Sequence, residues 1–374
     1  MLRNLIVVAL SLFTLANLTS ISRVGGYNFY LYDFYLLILN LAVFVWCLKK
    51  GVLRINLNLI LLVLFLVWST VVTLSNVIFY AFSDQFLVLS YLFRFGNYSF
   101  FGFLIYSLLK SKILSTYDFQ HILRVNFYLL VILNVLQYFI FRDISSLSIY
   151  GFDPHQTRLT GTFLDPNYMG IYLILYFIIS ENFLKSRFIS YSSFLMLLLT
   201  ESRSAFLTFL IAIVFLIFKS PKYFIYLALI ISFSFGTSFV NRIELSKASN
   251  DSSNLRIESW KNAVQLYSFS PEFGVGFNNY RNMAKYFNLS TPEMYYANSS
   301  NSSDSSLLSI LVMGGGLGLF LFVSYLFSFG YKVFENLIFL GVILFNSLFI
   351  NSLFFPSVCV LVILILNFNL ANKN

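Results

Sequence analysis

Long uninterrupted apolar runs constrain this chain more than any other feature of its sequence. Stretches such as LILLVLFLV at 59–67 and FLIAIVFLIF at 209–218 recur along the 374 residues, and the mean hydropathy is +0.80. Runs of about 18 or more apolar residues would expose unburiable surface in water, but they match the length of a helix that crosses a bilayer. A transmembrane β-barrel would instead alternate polar and apolar residues. The sequence therefore predicts an all-α, polytopic integral membrane protein.

The apolar runs predict about twelve transmembrane helices within a single membrane domain, residues 1–374. The first run follows Arg3 without a small-residue cleavage pattern, so we interpret it as an uncleaved first helix. The long interruption at 241–304 is predicted to be an extracytoplasmic cap loop. The predicted spans are 4–20, 28–47, 56–74, 88–109, 125–141, 167–184, 188–200, 204–218, 223–240, 305–328, 336–351 and 354–370.

The distribution of charge predicts which side of the membrane each loop faces. More than half of the 24 Lys and Arg residues lie in the ends and short loops that share a side with the N-terminus, where only Asp118, Glu181 and Glu335 oppose them. Cytoplasmic loops of membrane proteins carry this excess of cations. Both termini are therefore expected in the cytoplasm, and the net charge of +9 requires no nucleic-acid partner.

This orientation leaves two substantial segments outside the membrane, residues 142–166 and the cap loop at 241–304. Asn and Ser are concentrated near both ends of the cap loop, but between them lie Trp260 and other aromatic residues at helical spacing. The loop is therefore predicted to contain a small folded cap. Cys47 and Cys359 fall inside apolar runs and the chain has 2 histidines, so we expect no disulfide and no metal site.

A group of polar residues around Arg203 is typical of an anion site. Arg203 lies on the outer link between two predicted helices, beside the hydroxyl groups of Thr200, Ser202 and Ser204. The following helix starts at this point with the positive end of its dipole outward, and a guanidinium can hold two phosphate oxygens at once. An ion pair between Arg203 and Glu201 is the alternative interpretation.

Three more polar positions have both a structural and a functional interpretation. Arg94 lies in the outer part of a predicted helix, where it either pairs with Asp33 or contributes to ligand binding. Asp165 is either the N-cap of the helix that Pro166 begins or a chemical group of the site. Asp304 stands where the cap loop re-enters the membrane, and it is interpreted either as an N-cap or as a general base.

Several spaced motifs resemble the O-antigen polymerase and ligase superfamily of bacterial inner-membrane glycosyltransferases. They occur in the family's order and on the predicted outer side, whereas residues 1–150 are similar to the family only in being a run of helices. The motifs are RLTGTFLDPNYMG at 158–170, LLLTESRSAFL at 197–207, LRIESWKNAV with GVGFNNY within 255–280, and DSSLLSILVMGGGLG at 304–318.

The resemblance implies a GT-C-like enzyme that transfers a glycan from an undecaprenyl diphosphate carrier at the outer face of the bacterial inner membrane. The growing chain would leave its carrier and join the non-reducing end of the next repeat unit, which yields O-antigen or capsular polysaccharide. The reaction would invert the anomeric carbon without a metal, a nucleotide or another cofactor. The expected partners are the undecaprenyl-diphosphate-linked oligosaccharide, membrane lipid, a chain-length regulator and a flippase.

The resemblance also assigns roles to individual residues. Arg158 and Arg203 match arginines that hold the donor diphosphate, and Arg256 matches the arginine that opens the cap motif. Family ligases place a histidine before the helix after the long loop, where this chain has Asp304, and this difference favours a polymerase over a ligase. The base stays open between Asp304, Asp165 and Glu258. The predicted catalytic residues are Arg158, Arg203 and Asp304, and the predicted substrate-binding residues are Arg94, Asp165, Asn167, Ser202, Arg256, Tyr280 and Arg281.

A flippase or other transporter of lipid-linked oligosaccharides is the alternative from a different class of protein. Such a protein is expected to line a central cavity with charged residues through the membrane midplane. The charged residues of this chain avoid the centres of the predicted spans and gather in the loops. The distribution of charge therefore favours the enzyme.

Overall fold

The structure, a computed structural model, describes residues 2–24, 27–80, 85–150, 152–218, 220–234, 247–289, 302–331 and 333–372. Nearly all of this part of the chain is helical. The helices are α1 (Leu2–Leu15), α2 (Leu31–Lys50), α3 (Leu57–Tyr80), α4 (Gln85–Lys110), α5 (Thr116–Ile140), α6 (Pro166–Ile179), α7 (Arg187–Thr200), α8 (Arg203–Ile217), α9 (Phe224–Ser234), α10 (Lys247–Phe269), α11 (Tyr280–Tyr286), α12 (Ser306–Gly330), α13 (Phe334–Asn346) and α14 (Pro356–Asn372). The prediction of an all-α fold is confirmed except for one antiparallel hairpin, β1 (Ser20–Val24) and β2 (Tyr27–Tyr30).

A helix lies at each of the twelve predicted spans, but some boundaries differ. The largest difference is at α5, which begins at Thr116 and not at 125. Ser115 accepts a hydrogen bond from the backbone N–H of Asp118 at 3.0 Å, and the Asp118 carboxylate accepts one from the backbone N–H of Ser115 at 3.3 Å. This capping box starts the helix among polar residues, where the apolar pattern gives no signal.

The apolar helices support a membrane protein, while the number of crossings stays a prediction. In the part of the chain that the structure describes, 5 helices are long and apolar enough to cross a membrane, and further apolar helices have 10–17 residues. The count of twelve spans and the GT-C-like arrangement are therefore still expectations. Of the predicted cap loop, α10 and α11 are described, whereas 241–246 and 290–301 lie outside the described residues.

Helices α6 and α14 form the centre of the bundle. Residues 169–179 of α6 and 357–369 of α14 are all buried, as expected for helices that are apolar on every face and surrounded by other helices. Helix α6 packs against α7 and α8, and α14 packs against α4. On α5, Asn126 donates to the Leu10 carbonyl at 2.9 Å and accepts from the Tyr172 hydroxyl at 3.1 Å. This amide ties α1 and α6 together inside the bundle, where unpaired polar groups are costly.

Helix α12 is broken at Gly315, and the segment that follows α10 fills the break. Gly315 has φ 67° and ψ −168°, so the backbone groups on either side lose their helical partners. Gly274 and Gly276 have φ of 78° and 93°, and Gly274 lies against this break. The exposed groups are satisfied by four bonds: Val275 N to Val312 O at 2.8 Å, Gly276 N to Met313 O at 2.9 Å, Trp68 Nε1 to Gly314 O at 2.9 Å, and Gly316 N to Pro271 O at 2.9 Å. The predicted cap is thus attached, through backbone hydrogen bonds, to a helix that is long and apolar enough to cross a membrane.

Replacing Gly274 tests this attachment. A Cβ at Gly274 would lie 2.4 Å from the Gly315 nitrogen and 2.6 Å from the Met313 carbonyl oxygen. Together with the positive φ, this contact should destabilise the Gly274→Ala protein by at least about 1–3 kcal/mol, which lowers its thermal midpoint in detergent. Gly314→Ala is the matched control, because nothing lies within 4 Å of its added Cβ. Equal midpoints for the two variants would contradict the proposed packing.

Candidate functional site

Arg158 fastens the loop before α6 to the C-terminal end of α7. Its Nε donates to the Thr200 carbonyl at 2.9 Å, and its Nη2 donates to the Glu201 carbonyl at 3.0 Å. The backbone N–H of the next residue, Leu159, also donates to this end of α7, to the Leu199 carbonyl at 2.9 Å. Carbonyls at a helix C-terminus lack helical partners, and cations are favourable there. Arg158 therefore serves first as a cap of α7, a role that the sequence did not suggest.

Asn167 connects the start of α6 to the start of α8. Its Oδ1 accepts from the hydroxyl of Ser202 at 2.7 Å and from that of Ser204 at 3.3 Å. Ser202 is also the N-cap of α8, since its Oγ accepts from the backbone N–H of Ala205 at 3.3 Å. Both serines are buried. The hydroxyl of Ser202, predicted to bind substrate, is already used within the protein, so Ser202 and Asn167 hold the link from 200 to 204 in place.

Arg203 differs from its neighbours because its side chain is exposed. It is the first residue of α8, and its guanidinium makes no hydrogen bond or ion pair with any described residue. The alternative of an ion pair with Glu201 is therefore not seen between these two described side chains. A free guanidinium at the N-terminus of a helix is suited to bind an anion, since the helix dipole and the side-chain charge act together.

Asp165 is the N-cap of α6, as one of its two interpretations predicted. Its side chain accepts from the backbone N–H of Asn167 at 2.6 Å and from that of Tyr168 at 3.4 Å, and Pro166 is the first helical residue. Burial raises the pKa of the Asp165 carboxyl, while its bond from Asn167 and the nearby Arg158 guanidinium act to lower it. The Asp165 carboxyl thus caps α6 and also interacts with the nearby Arg158 guanidinium.

Arg256 of α10 lies within electrostatic range of three carboxyl groups. Its guanidinium interacts electrostatically with Asp153, Asp165 and Asp304, which come from three separate segments of the chain. Asp153 was not among the predicted site residues. The sequence feature that could have indicated it is its place in a polar stretch before the Arg158 motif. The structure therefore brings the predicted Asp165, Arg256 and Asp304 together, and adds Asp153 to them.

Asp153, Asp165 and His155 also form a compact group of potential metal ligands. Their donor atoms lie within 4.8 Å of one another. Asp165 is already occupied as a helix cap, however, and acidic groups on a protein surface commonly cluster without an ion. We therefore assign no metal to this group, and the expectation of a metal-independent protein stays a prediction.

Asp304 is not the N-cap of α12, so that interpretation is wrong. The N-cap is Ser305, whose Oγ accepts from the backbone N–H of Leu308 at 3.4 Å. The backbone N–H of Asp304 donates to Ser259 Oγ of α10 at 3.2 Å, which leaves the Asp304 carboxyl outside the capping interaction. Burial raises the pKa of this carboxyl; Arg256 acts to lower it, and Asp153 and Asp165 act to raise it. A half-buried carboxyl of this kind is suited to accept a proton.

Tyr280 and Arg281 of α11, two predicted substrate-binding residues, are both buried. The Tyr280 hydroxyl donates to the Ser259 carbonyl at 3.3 Å, on the same turn of α10 that contacts Asp304. Glu258, the third candidate for the base, is exposed on α10. Helix α11 therefore holds α10 in position beside Asp304. Because Tyr280 and Arg281 are buried, we assign them a structural role in this packing.

Arg94 lies in a different environment from the other arginines. It forms an ion pair with Asp33 at 2.8 Å, which confirms one interpretation of this residue, and it donates to the Asn28 carbonyl at 2.7 Å. The rings of Tyr91 and Tyr30 lie 4.7 and 5.4 Å from its guanidinium carbon. Buried charges require partners of this kind. The pair fixes the β-hairpin against α2 and α4.

Arg94 lines a cavity of about 250 Å³. Tyr168 lines the cavity and interacts electrostatically with Asp165, Asp304 and Asp153. Its ring stacks on Phe355, with centroids 4.2 Å apart. Most of the other lining residues come from the hairpin, α4, the turn before α11, and the segment between α13 and α14. The cavity and the charged cluster are thus neighbouring parts of one site.

The fold and this site define a helical membrane protein whose arginines and carboxyls meet at one end of the bundle. Residues 188–323 match the family model described as O-antigen ligase. This match confirms the resemblance to the O-antigen polymerase and ligase superfamily, and it implies a membrane enzyme that acts on polysaccharide. The matched segment contains Arg203, Arg256 and Asp304, whereas Arg158 and Asp165 precede it. No curated protein matches the chain.

Replacing Ser305 and Asp304 separately tests which of the two residues caps α12. Ser305→Ala should destabilise the protein by about 1 kcal/mol, because it removes the acceptor for the Leu308 N–H. Asp304→Ala should leave the thermal midpoint in detergent unchanged, since only the backbone of Asp304 is bonded to Ser259. The opposite pattern, with loss of stability only in Asp304→Ala, would return the capping role to Asp304.

Proposed function

We propose that this chain polymerises lipid-linked oligosaccharide repeat units into O-antigen or capsular polysaccharide. The proposal rests on one observation, the gathering of arginines and half-buried carboxyls at the same end of the helix bundle. Transfer from a diphosphate carrier needs cations for the departing diphosphate and a base for the incoming hydroxyl. Arg203 and Asp304 are suited to these two tasks. The family match over residues 188–323 supports a lipid-linked polysaccharide as the substrate.

In the proposed reaction, Asp304 accepts the proton of a hydroxyl at the non-reducing end of the acceptor repeat unit. The hydroxyl oxygen forms a bond to the anomeric carbon of the donor chain from the side opposite the carrier. The bond between that carbon and the diphosphate oxygen breaks, and undecaprenyl diphosphate leaves with the electron pair. The anomeric configuration is inverted, and the negative charge that develops on the leaving diphosphate is stabilised by guanidinium groups without a metal.

The arginines have different parts in this proposal. Arg203 is the direct diphosphate ligand, because its guanidinium is exposed and makes no bond to a described residue. Arg158 donates to the Thr200 and Glu201 carbonyls, so it contributes charge and holds the 200–204 link. Arg256 partly balances the three carboxyls and acts to lower the pKa of Asp304 against the effect of burial. In this arrangement the diphosphate would lie between Arg203 and Arg256.

A ligase that moves finished glycan to a different acceptor is the second candidate. The description of the matching family as O-antigen ligase favours it. We prefer the polymerase because Asp304 stands near the place where family ligases have a histidine, and the residue does not serve as the helix cap. The flippase receives no support from the site, because Arg158, Arg203, Arg256 and Asp304 lie in segments predicted to be outside the membrane.

The proposed location is the bacterial inner membrane, with both termini cytoplasmic and the site at the outer face. Two ion pairs occur at segments predicted to be cytoplasmic, Arg3–Asp118 at 3.3 Å and Lys222–Glu181 at 2.7 Å. The segments that form the site are those predicted to be outside. Lipid-linked repeat units presented at that face would therefore reach the cavity and Arg203 together, with a flippase and a chain-length regulator as expected partners.

The decisive experiment is chain extension by the purified protein with lipid-linked repeat units. The wild-type protein should produce a ladder of lengths, whereas a ligase would produce only single transfers to another acceptor. Arg203→Ala should abolish the ladder at an unchanged thermal midpoint, and Arg203→Lys should restore little of it, because a point charge cannot hold two phosphate oxygens. Arg158→Ala should lose activity and also destabilise the protein by about 1–3 kcal/mol, since two carbonyls lose their donor. A normal ladder from Arg203→Ala would rule out its role.

The pH dependence of extension tests Asp304 as the base. A base acts in its ionised form, so a raised pKa moves the acid limb of kcat/KM above the range of an ordinary aspartate. Arg256 lowers the Asp304 pKa, so Arg256→Gln should shift this limb to higher pH. Lys261→Gln, an exposed cation on the same helix, is the control that should leave the limb in place. Asp304→Asn should lower the rate by about 10²–10⁴. An unchanged profile in Arg256→Gln would contradict the assignment.

A further inference from the structure

The cavity beside Tyr168 has walls of a particular composition. Aromatic rings and side-chain amides form most of the surface, and its volume is about 250 Å³. Aromatic faces pack on flat apolar surfaces, while amides both donate and accept hydrogen bonds. The tyrosines, phenylalanines and asparagines of the wall are Tyr30, Tyr32, Tyr91, Tyr98, Tyr168, Phe95, Phe277, Phe354, Phe355, Asn17, Asn28, Asn278 and Asn351.

The charge in this wall is already neutralised. Arg94 is paired with Asp33 at 2.8 Å, and Asp33 also accepts from the Tyr98 hydroxyl at 2.5 Å. Both aromatic neighbours of the guanidinium and the Asn28 carbonyl hold Arg94 in this pair. An anion in the cavity would have to displace the Asp33 carboxylate from a buried ion pair, which is costly. The cavity is therefore suited to a neutral ligand, in contrast to the surface around Arg203.

Two amide groups in the wall have unused hydrogen-bonding capacity. Asn278 Nδ2 and Asn351 Oδ1 are buried and have no hydrogen-bond partner among the described residues. The orientation of Asn351 is set, because its Nδ2 donates to Ser302 Oγ at 2.7 Å. Both residues line the cavity, so one unpartnered donor and one unpartnered acceptor lie in its wall. A ligand hydroxyl can satisfy either, since it donates and accepts.

We propose that this cavity binds a neutral sugar ring of the saccharide substrate. The ring would pack on the tyrosine faces, and its hydroxyls would bond to Asn278 Nδ2 and Asn351 Oδ1. The volume is below the roughly 300–1,000 Å³ of pockets for drug-sized ligands, which limits the occupant to a small part of a repeat unit. The role of this ring in polymerisation rests on the proposed function.

The position of the cavity connects the sugar ring to the reacting groups. Tyr168, which lines the cavity, lies in the first turn of α6, close to the Asp165 cap. Ser302, bonded to Asn351, also lines it and precedes Asp304 by two residues. A ring bound here therefore belongs either to the end of the donor chain or to the end of the acceptor unit. Both sources supply the same chemistry, a neutral ring with free hydroxyls.

Saccharide binding by the full-length protein in nanodiscs tests the proposal independently of catalysis. The probe is the repeat-unit oligosaccharide released from the lipid fraction of the source cells, and the readout is a saturation-transfer NMR titration. Asn278→Asp replaces the donor by an acceptor and tolerates the positive φ of 61° at this position. Asn351→Ala removes the acceptor. Each should weaken binding about tenfold, as expected for the loss of one buried hydrogen bond.

The matched controls are Asn262→Asp and Asn262→Ala, which make the same chemical changes on α10 outside the cavity. These controls should bind the saccharide like the wild-type protein. Wild-type affinity in both Asn278→Asp and Asn351→Ala would overturn the proposal, and so would an absence of saccharide binding by the wild-type protein.

Chain extension then distinguishes the two sources of the ring and separates this proposal from the proposed function. With a lipid-linked chain as donor and the lipid-free repeat unit as acceptor, the cavity variants should raise KM for one of the two. A raised KM for the donor assigns the ring to the donor chain, and a raised KM for the acceptor assigns it to the acceptor. If the polymerase proposal fails, the wild-type protein does not extend chains but its saccharide binding still depends on Asn278 and Asn351. Extension with unchanged KM values for both substrates in both variants would overturn the cavity proposal alone.

Discussion

The hydrogen bonds between the start of α6 and the link from α7 to α8 are the interaction on which the site depends. Arg158 donates to two carbonyls of this link, and Asn167 accepts from Ser202 and Ser204 within it. A loop at a membrane surface would otherwise move independently of its neighbours. These bonds instead fix the positions of Asp165 and Arg203, so the charged groups lie on a rigid frame.

A second attachment brings the other half of the site to this frame. The break in α12 at Gly315 exposes backbone carbonyls, and N–H groups of Val275 and Gly276 satisfy them. Because α10 is joined to this segment, the attachment places Arg256 opposite Asp304 and Asp165. The cost of unpaired backbone groups in a membrane protein thus determines where the cap residues stand. Buried charges likewise require partners, and Arg94 is therefore paired with Asp33.

Features that depend on local sequence were predictable, and features that depend on distant contacts were not. The helices follow from apolar runs, and the Asp165 cap follows from an Asp-Pro pair at a helix start. The prediction of Asp304 as a cap was wrong because Ser305 and Ser306 can also cap a helix. Contacts with Ser347 favour Ser305, since the Ser347 carbonyl accepts from the Ser305 hydroxyl at 3.0 Å and from the Ser306 N–H at 2.9 Å. The carbonyl partners of Arg158 and the cavity amides involve residues far apart in sequence, so no local pattern indicates them.

The central claim is that free guanidinium charge at this site recognises a diphosphate carrier. The direct test compares the dissociation constants of two lipids that carry the same repeat unit, one through undecaprenyl diphosphate and one through undecaprenyl monophosphate, in EDTA. The wild-type protein should bind the diphosphate lipid about tenfold more tightly or better, since it offers additional charged hydrogen-bond acceptors. Arg203→Ala should lose this preference. Equal binding of both lipids by the wild-type protein, or an undiminished preference in Arg203→Ala, would contradict the account.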